Sequence, residues 1–138
     1  MSVSVLEQRL FALSETDRLT VTIHTNTVTA REHVRRIAML LEADRFSQAV
    51  TQTTIDVSDK DPPQVKAWLM SLQIGHSSVD AYWIADGAGL HLPFPVFATY
   101  YDDLWYPAAD DIWIVDDTCS WILELCHEEI FTLRRFAV

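Results

Sequence analysis

Three short apolar runs near the end of the chain are separated by connections of only a few residues. They cover residues 112–115, 120–126 and 130–136, and Asp116-Asp117-Thr118-Cys119 and Glu128-Glu129 lie between them. Connections this short join antiparallel neighbours, because a parallel crossover needs a dozen or more residues. The sequence therefore predicts a C-terminal three-stranded antiparallel meander.

The preceding residues alternate between helical and strand periodicity. Apolar residues at three- and four-residue spacing predict helices over 3–14, over 29–43, after the Pro62-Pro63 pair and over 96–105. Runs rich in β-branched or aromatic residues predict strands over 19–28, 51–57 and 79–85, with a turn at 86–89. Segregated terminal strands favour an α+β fold. We expect a single domain over residues 1–138, with a largely antiparallel sheet and three to four helices.

Acidic and aromatic residues are concentrated in the second half of the chain. Residues 1–69 hold eight Lys or Arg against nine Asp or Glu, a net charge of −1. Residues 70–138 hold only Arg134 and Arg135 against eleven Asp or Glu, a net of −9, and twelve of the fifteen aromatic residues. So acidic a surface repels phosphate backbones and attracts basic partners or cations. Direct nucleic-acid binding is therefore not expected.

The sequence predicts neither a membrane span nor a signal peptide. Its apolar runs are far shorter than the ~20 residues that cross a bilayer, and no basic segment precedes an apolar core at the N-terminus. Cys119 and Cys126 are seven residues apart, which matches no zinc or redox motif and suits reduced thiols. We expect a cytoplasmic protein without membrane partners.

Three Asp-Asp pairs are the first candidate for a functional site. They are Asp102-Asp103, Asp110-Asp111 and Asp116-Asp117. If the meander brought them together, their oxygens would suit Mg²⁺ or Ca²⁺. However, the spacing matches no EF-hand loop, and adjacent Asp residues also suit helix ends and turns, where they cap the backbone and stay solvated. No metal ligand is therefore assigned.

Catalytic and cofactor motifs are absent from the sequence. His127-Glu128-Glu129 lacks the second histidine of a zinc protease helix, and the remaining histidines have no ligand spacing. Cys126 and His127 are adjacent in a predicted strand, so their side chains point to opposite faces. Gly87-Ala88-Gly89 lacks the rest of a phosphate-binding loop. We assign no catalytic residue and no cofactor, and an enzymatic function is not favoured.

Aromatic residues alternate with the acidic ones along the second half of the chain. Tyr and Trp are enriched in interface hot spots, although the core of a sheet accounts for at least half of those present. The predicted binding residues are Asp102, Asp103, Trp105, Tyr106, Asp110, Asp111, Asp116 and Asp117.

In small size, acidity, Trp-rich terminal strands and lack of catalytic motifs, residues 80–138 resemble in general character uncharacterised bacterial proteins of the immunity or antitoxin-partner kind. The resemblance implies a non-enzymatic protein that engages a basic partner, for example a nuclease-like toxin, through its acidic C-terminal half. The alternative is a protein, perhaps an enzyme, that binds a small ligand or divalent metal in an aromatic-lined pocket with carboxylates. Exposed aromatics and a sheet edge would also allow a homodimer.

Overall fold

The computed structural model describes residues 3–42, 49–74, 78–85, 87–107 and 109–136. Within these residues it has five helices and seven strands. The helices are α1 (Val3–Leu10), α2 (Glu15–Arg18), α3 (Thr27–Glu42), α4 (Pro62–Ser71) and α5 (Phe94–Leu104). The strands are β1 (Thr22–His24), β2 (Ala49–Asp56), β3 (Ser78–Trp83), β4 (Ala88–Pro93), β5 (Ile112–Val115), β6 (Trp121–Cys126) and β7 (Ile130–Phe136).

The strands form one antiparallel sheet in the order β1-β4-β3-β5-β6-β7-β2. The neighbours β5, β6 and β7 follow one another in the chain, which confirms the predicted meander and the α+β class. Their register places Ile114 opposite Leu123, and Leu123 opposite Leu133. Since side chains alternate between the two faces of a strand, these three share one buried face.

Helices cover both faces of the sheet. On one face, α1, α4 and α5 bury side chains such as Leu6, Leu69 and Phe97 in the larger hydrophobic cluster. On the other face, α3 forms a smaller cluster by packing Ala30, Val34 and Ile37 against Tyr82, Val115 and Ile122. The central strands are therefore apolar on both sides, as the alternation within residues 112–115 predicts.

Strand β4 is the main element that the sequence pattern concealed. The glycines predict a turn over 86–89, and Leu92-Pro93-Phe94-Pro95 predicts an extended or turn entry to the next helix, because each proline biases the preceding residue away from helix. Gly87 adopts a φ of 62°, and its amide bonds to the Trp83 carbonyl, so β3 and β4 form a tight hairpin. Leu90 and Leu92 are fully buried, and their burial favours a strand despite the flanking residues.

The boundaries near β1 also differ from the expectation. A strand over 19–28 is shortened to three residues because the helical turn α2 precedes it and α3 begins early. Asn26 accepts the amides of Val28 and Thr29 through Oδ1, so α3 begins two residues before the predicted Thr29. The cap was missed because asparagine is not followed by Glu or Gln at the spacing of a capping box.

The aromatic cluster around Phe131 is expected to contribute strongly to stability. Its ring is fully buried and lies 5.6 Å from the ring of Tyr101 and 6.5 Å from that of Phe97. Phe131→Ala should lower the free energy of unfolding by about 3–5 kcal/mol in urea titrations, since it leaves a cavity. Phe11→Ala, at an exposed phenylalanine, should cost less than about 1 kcal/mol. Equal losses would contradict this packing.

Candidate functional site

A buried ion pair joins the first helix to the loop that follows α5. Arg9 Nη1 donates to Asp110 Oδ2 at 2.7 Å and to the Leu104 carbonyl at 2.8 Å. Both side chains are more than nine-tenths buried. Arg9 therefore donates a hydrogen bond to a carbonyl at the C-terminal end of α5, which has no partner within the helix, and neutralises the charge of Asp110.

Asp110 also closes the turn that carries Tyr106. Its Oδ2 accepts the Tyr106 amide at 3.0 Å, and its carbonyl accepts the indole N–H of Trp105 at 2.9 Å. Trp105 is only 3% exposed, whereas Tyr106 is 54% exposed. Of the predicted binding residues, Asp110 and Trp105 thus lie in the interior, and they hold Tyr106 at the surface.

An open cavity of about 310 Å³ lies between α1 and the C-terminal end of α5. The Arg9 guanidinium carbon is 3.9 Å from the centre of the Tyr106 ring, which is the geometry of a cation–π contact. The residues that line the cavity are Val5, Gln8, Arg9, Ala12, Asp102, Asp103 and Tyr106. We call this the α1/α5 cavity.

Asp102 and Asp103 place two exposed carboxylates at the edge of the α1/α5 cavity. They lie in the last turn of α5, where the helix dipole already concentrates partial negative charge. Partial desolvation and then the charge of Asp103 raise the pKa of Asp102 above its ordinary value. The pair is therefore electrostatically unfavourable as it stands, and a cation bound in the cavity would relieve it.

The other predicted carboxylates lie apart from that cavity, Asp111 in the loop before β5 and Asp116-Asp117 at the β5–β6 turn. Asp111 Oδ1 accepts both the amide and the ring Nδ1 of His127, at 2.8 and 3.0 Å, and this hydrogen bond raises the pKa of His127. Asp116 Oδ1 accepts the amides of Thr118 and Cys119 in the β5–β6 turn. These are the capping roles that the sequence also allowed, so the three Asp pairs do not converge on one site.

A second polar cluster lies on the α3 face of the sheet and was missed from the sequence. Asp80 Oδ1 contacts His24 Nε2 at 2.9 Å and His91 Nδ1 at 3.0 Å. Burial opposes ionisation of Asp80, but the hydrogen bonds from His24 and His91 outweigh it and lower the pKa. The three residues belong to β3, β1 and β4, so only strand pairing, which no local spacing reveals, brings them together.

Tyr82 extends this cluster toward α3. Its hydroxyl lies 2.7 Å from His33 Nδ1, and its ring stacks on that of His24 with centroids 5.6 Å apart. A Cβ on Gly89 would lie 2.8 Å from both rings, so only glycine leaves room for the stack. Burial, and then the charges of Asp80 and Cys119, raise the pKa of Tyr82, which keeps the hydroxyl protonated.

A cavity of about 200 Å³ opens beside Tyr82. The Asp116-Asp117 pair lines it beside Asp80, and we call it the Tyr82 cavity. Its lining residues are His33, Arg36, Ile37, Asp80, Tyr82, Val115, Asp116, Asp117 and Cys119. Three carboxylates against one arginine make it a net acidic cavity on the opposite face of the sheet from the α1/α5 cavity.

Within the described part of the chain, no three His, Cys, Asp or Glu side chains are arranged to hold a metal ion. Over the same residues, no helix combines the length and the apolar character that crossing a bilayer requires. Comparison with protein-family models, with curated proteins and with solved structures finds no match to this chain. Function is therefore inferred from the geometry of the two cavities.

The Arg9–Asp110 pair yields a direct stability prediction. Asp110→Asn should lower the free energy of unfolding by about 3–5 kcal/mol, because it leaves the buried Arg9 charge uncompensated. Asp117→Asn, at an exposed carboxylate, should change it by no more than about 0.5 kcal/mol. Urea unfolding of both variants measures the difference. A loss at Asp110 as small as that at Asp117 would show that the pair does not hold α1 to α5.

Proposed function

We propose that this protein binds a basic protein partner through the α1/α5 cavity and does so without catalysis. The observation that carries the proposal is the exposed Asp102-Asp103 pair, placed where both the helix dipole and mutual repulsion disfavour it. Residues that break a local stability rule without a local gain are often functional. A lysine or arginine side chain from a partner would supply the missing positive charge.

The surroundings of the pair support a cationic guest. Arg9 lines the cavity, but Asp110 already neutralises it, so the charge of Asp102 and Asp103 is not cancelled from within. The exposed Tyr106 ring offers an aromatic surface beside the carboxylates. Aromatic side chains and matched charges are the features that give interfaces their affinity and fast association.

The net charge of −9 over residues 70–138 supports a basic partner. An acidic surface steers basic proteins toward it and mimics the phosphates that a nucleic-acid-binding cleft accepts. A nuclease-like toxin is one partner of this chemistry, which also agrees with the general resemblance to immunity proteins. In this proposal the protein would occupy such a cleft and exclude its substrate.

Removing the two charges provides the test. Asp102→Asn/Asp103→Asn should slow association with an immobilised arginine-rich peptide by about tenfold at low salt, because steering depends on charge at the contact. Glu32→Gln/Glu128→Gln removes two exposed charges elsewhere and is the matched control. Surface plasmon resonance at low and high salt measures both. Equal loss in the two double variants would show only a general effect of net charge.

The partner itself can be captured from the same cavity. A photo-cross-linking residue at Tyr106 should trap a basic protein from source lysate, whereas the same residue at the exposed Val28 on α3 should not. Products that are identical at both positions would contradict a specific surface.

The Tyr82 cavity supports a second candidate, which is binding of a small amine or guanidine. Asp80 uses Oδ1 for both histidine contacts, and no described residue donates to its Oδ2. Asp116 and Asp117 also line the cavity and add negative charge. A pocket with a few convergent polar groups on a rigid sheet is the usual form of a ligand site. This proposal keeps the small-ligand alternative without a metal.

Thermal shift with putrescine, agmatine and ethanolamine tests this candidate. A ligand at about 100 times its dissociation constant should raise the free energy of unfolding by about 2.7 kcal/mol through mass action. Asp80→Asn should abolish the shift, and Asp59→Asn, at an exposed carboxylate, should retain it. If none of the three amines stabilises the wild-type protein, the candidate is wrong.

A further inference from the structure

Strand β2 is the outermost strand of the sheet on the β7 side. It pairs with β7 through residues 49–56, and no other described strand pairs with its far side. The opposite edge is formed by β1, which has only three residues. One edge of the sheet is thus protected by its shortness, whereas the other is eight residues long and turns the N–H and C=O groups of alternate residues away from β7.

Beyond the register shift at its start, between Ala49 and Thr51, the edge of β2 lacks the charges and prolines that usually prevent strand addition. Residues 49–55 contain no charge and no proline, and Asp56 is the single acidic residue, at the end. Gln52, Thr53 and Thr54 are consecutive and all exposed, so both faces of the strand are accessible there. The register shift between Ala49 and Thr51 leaves the remainder of the strand regular.

We propose that β2 pairs antiparallel with β2 of a second copy of this chain, with Thr53 opposite its own copy. The two seven-stranded sheets would then form one continuous sheet. In this register, Gln52 lies opposite Thr54 of the second copy, and no charged residue faces a like charge. A second copy fits this edge because residues 49–55 carry no charge, so pairing the strand with itself places no like charges opposite each other.

Arg134 provides a second reason for self-pairing. It lies on β7 opposite Gln52, half-buried, and no carboxylate of the described residues lies within salt-bridge distance. Asp56 is on the same face of β2 as Gln52, since the two differ by an even number of residues. In the proposed dimer, Asp56 would lie two strands and two residues away from Arg134 of the second copy. The Cα atoms would be about 12 Å apart, which the two side chains together can span.

Dimerisation through β2 is independent of partner binding through the α1/α5 cavity, and salt separates the two. Each copy carries a net charge of −10, so two copies repel and dimerisation should tighten as salt screens that repulsion. Binding of a basic partner should weaken under the same change. Failure of one proposal therefore leaves the other standing.

Charge exchange at position 53 tests the dimer. Sedimentation of the wild-type protein in high salt, from about 1 to about 300 µM, should show a monomer–dimer equilibrium. Thr53→Lys and Thr53→Glu alone should each raise the dissociation constant by about tenfold, because like charges then face each other. An equimolar mixture of the two should restore dimerisation. The same pair of substitutions at the exposed Thr16 in α2 is the control and should change nothing.

Disulfide trapping tests the register. Residues opposite each other in an antiparallel pair have Cα atoms about 4.5–5.5 Å apart, within the range of a disulfide. Thr53→Cys should therefore yield a covalent dimer on oxidation, and wild-type protein, with Cys119 and Cys126 half-buried, should not. In the same register, the Cα atoms of the two Gln52 residues would be about 8 Å apart, so Gln52→Cys should cross-link poorly.

Three results would overturn the proposal. They are a wild-type protein that stays monomeric at the highest concentration in high salt, Gln52→Cys cross-linking as readily as Thr53→Cys, and Thr53→Lys leaving the dimer intact. A different outcome is that the Thr53→Lys variant loses binding to the protein trapped at Tyr106 while the wild-type protein forms no dimer. That result would assign the β2 edge to the trapped partner and would equally overturn self-pairing.

Discussion

The buried contact between Arg9 and Asp110 is the constraint on which the surface around the α1/α5 cavity depends. It joins residues 101 positions apart, ends α5 and closes the turn that holds Tyr106 outward. Because the two charges cancel each other, the exposed Asp102 and Asp103 set the charge of the cavity beside them. The buried Asp110 carboxylate thus holds the turn beside the cavity, while Asp102 and Asp103 remain exposed at its edge.

The sheet separates two acidic cavities of different character. The α1/α5 cavity is bordered by an exposed aromatic ring and two exposed carboxylates, which suits the side chains of a protein partner. The Tyr82 cavity lies on the α3 face, where histidines hold Asp80 by hydrogen bonds. Gly89, which has no Cβ, leaves room there for the stacked rings of His24 and Tyr82. The groups of this cavity are held by neighbouring strands, and that rigidity suits a small ligand. One fold therefore presents two surfaces without either depending on the other.

Much of the fold could be predicted because the decisive signals are local. Alternating apolar residues in 112–136 with short connections predict a meander, and the apolar spacing that includes Val34 and Ile37 predicts a helix packed on one face. Strand β4 was missed because Gly89 and Pro93 resemble turn residues when read alone. Their role appears only when Gly89 lies between the His24 and Tyr82 rings and Pro93 lies at the end of the ladder.

The sequence by itself determined the α+β class, the terminal meander and the acidic bias of the second half, since each depends on composition or on neighbours within a few residues. Only the tertiary structure decided which carboxylates are buried, cap a turn or remain exposed. Asp110 and Asp102 each belong to an Asp-Asp pair. Asp110 is buried because Arg9 reaches it from the first helix, whereas Asp102 is exposed. Likewise, Asp80 meets His24 and His91 through strand pairing alone. The environment of a charge is set by its distant partners, and local sequence does not record them.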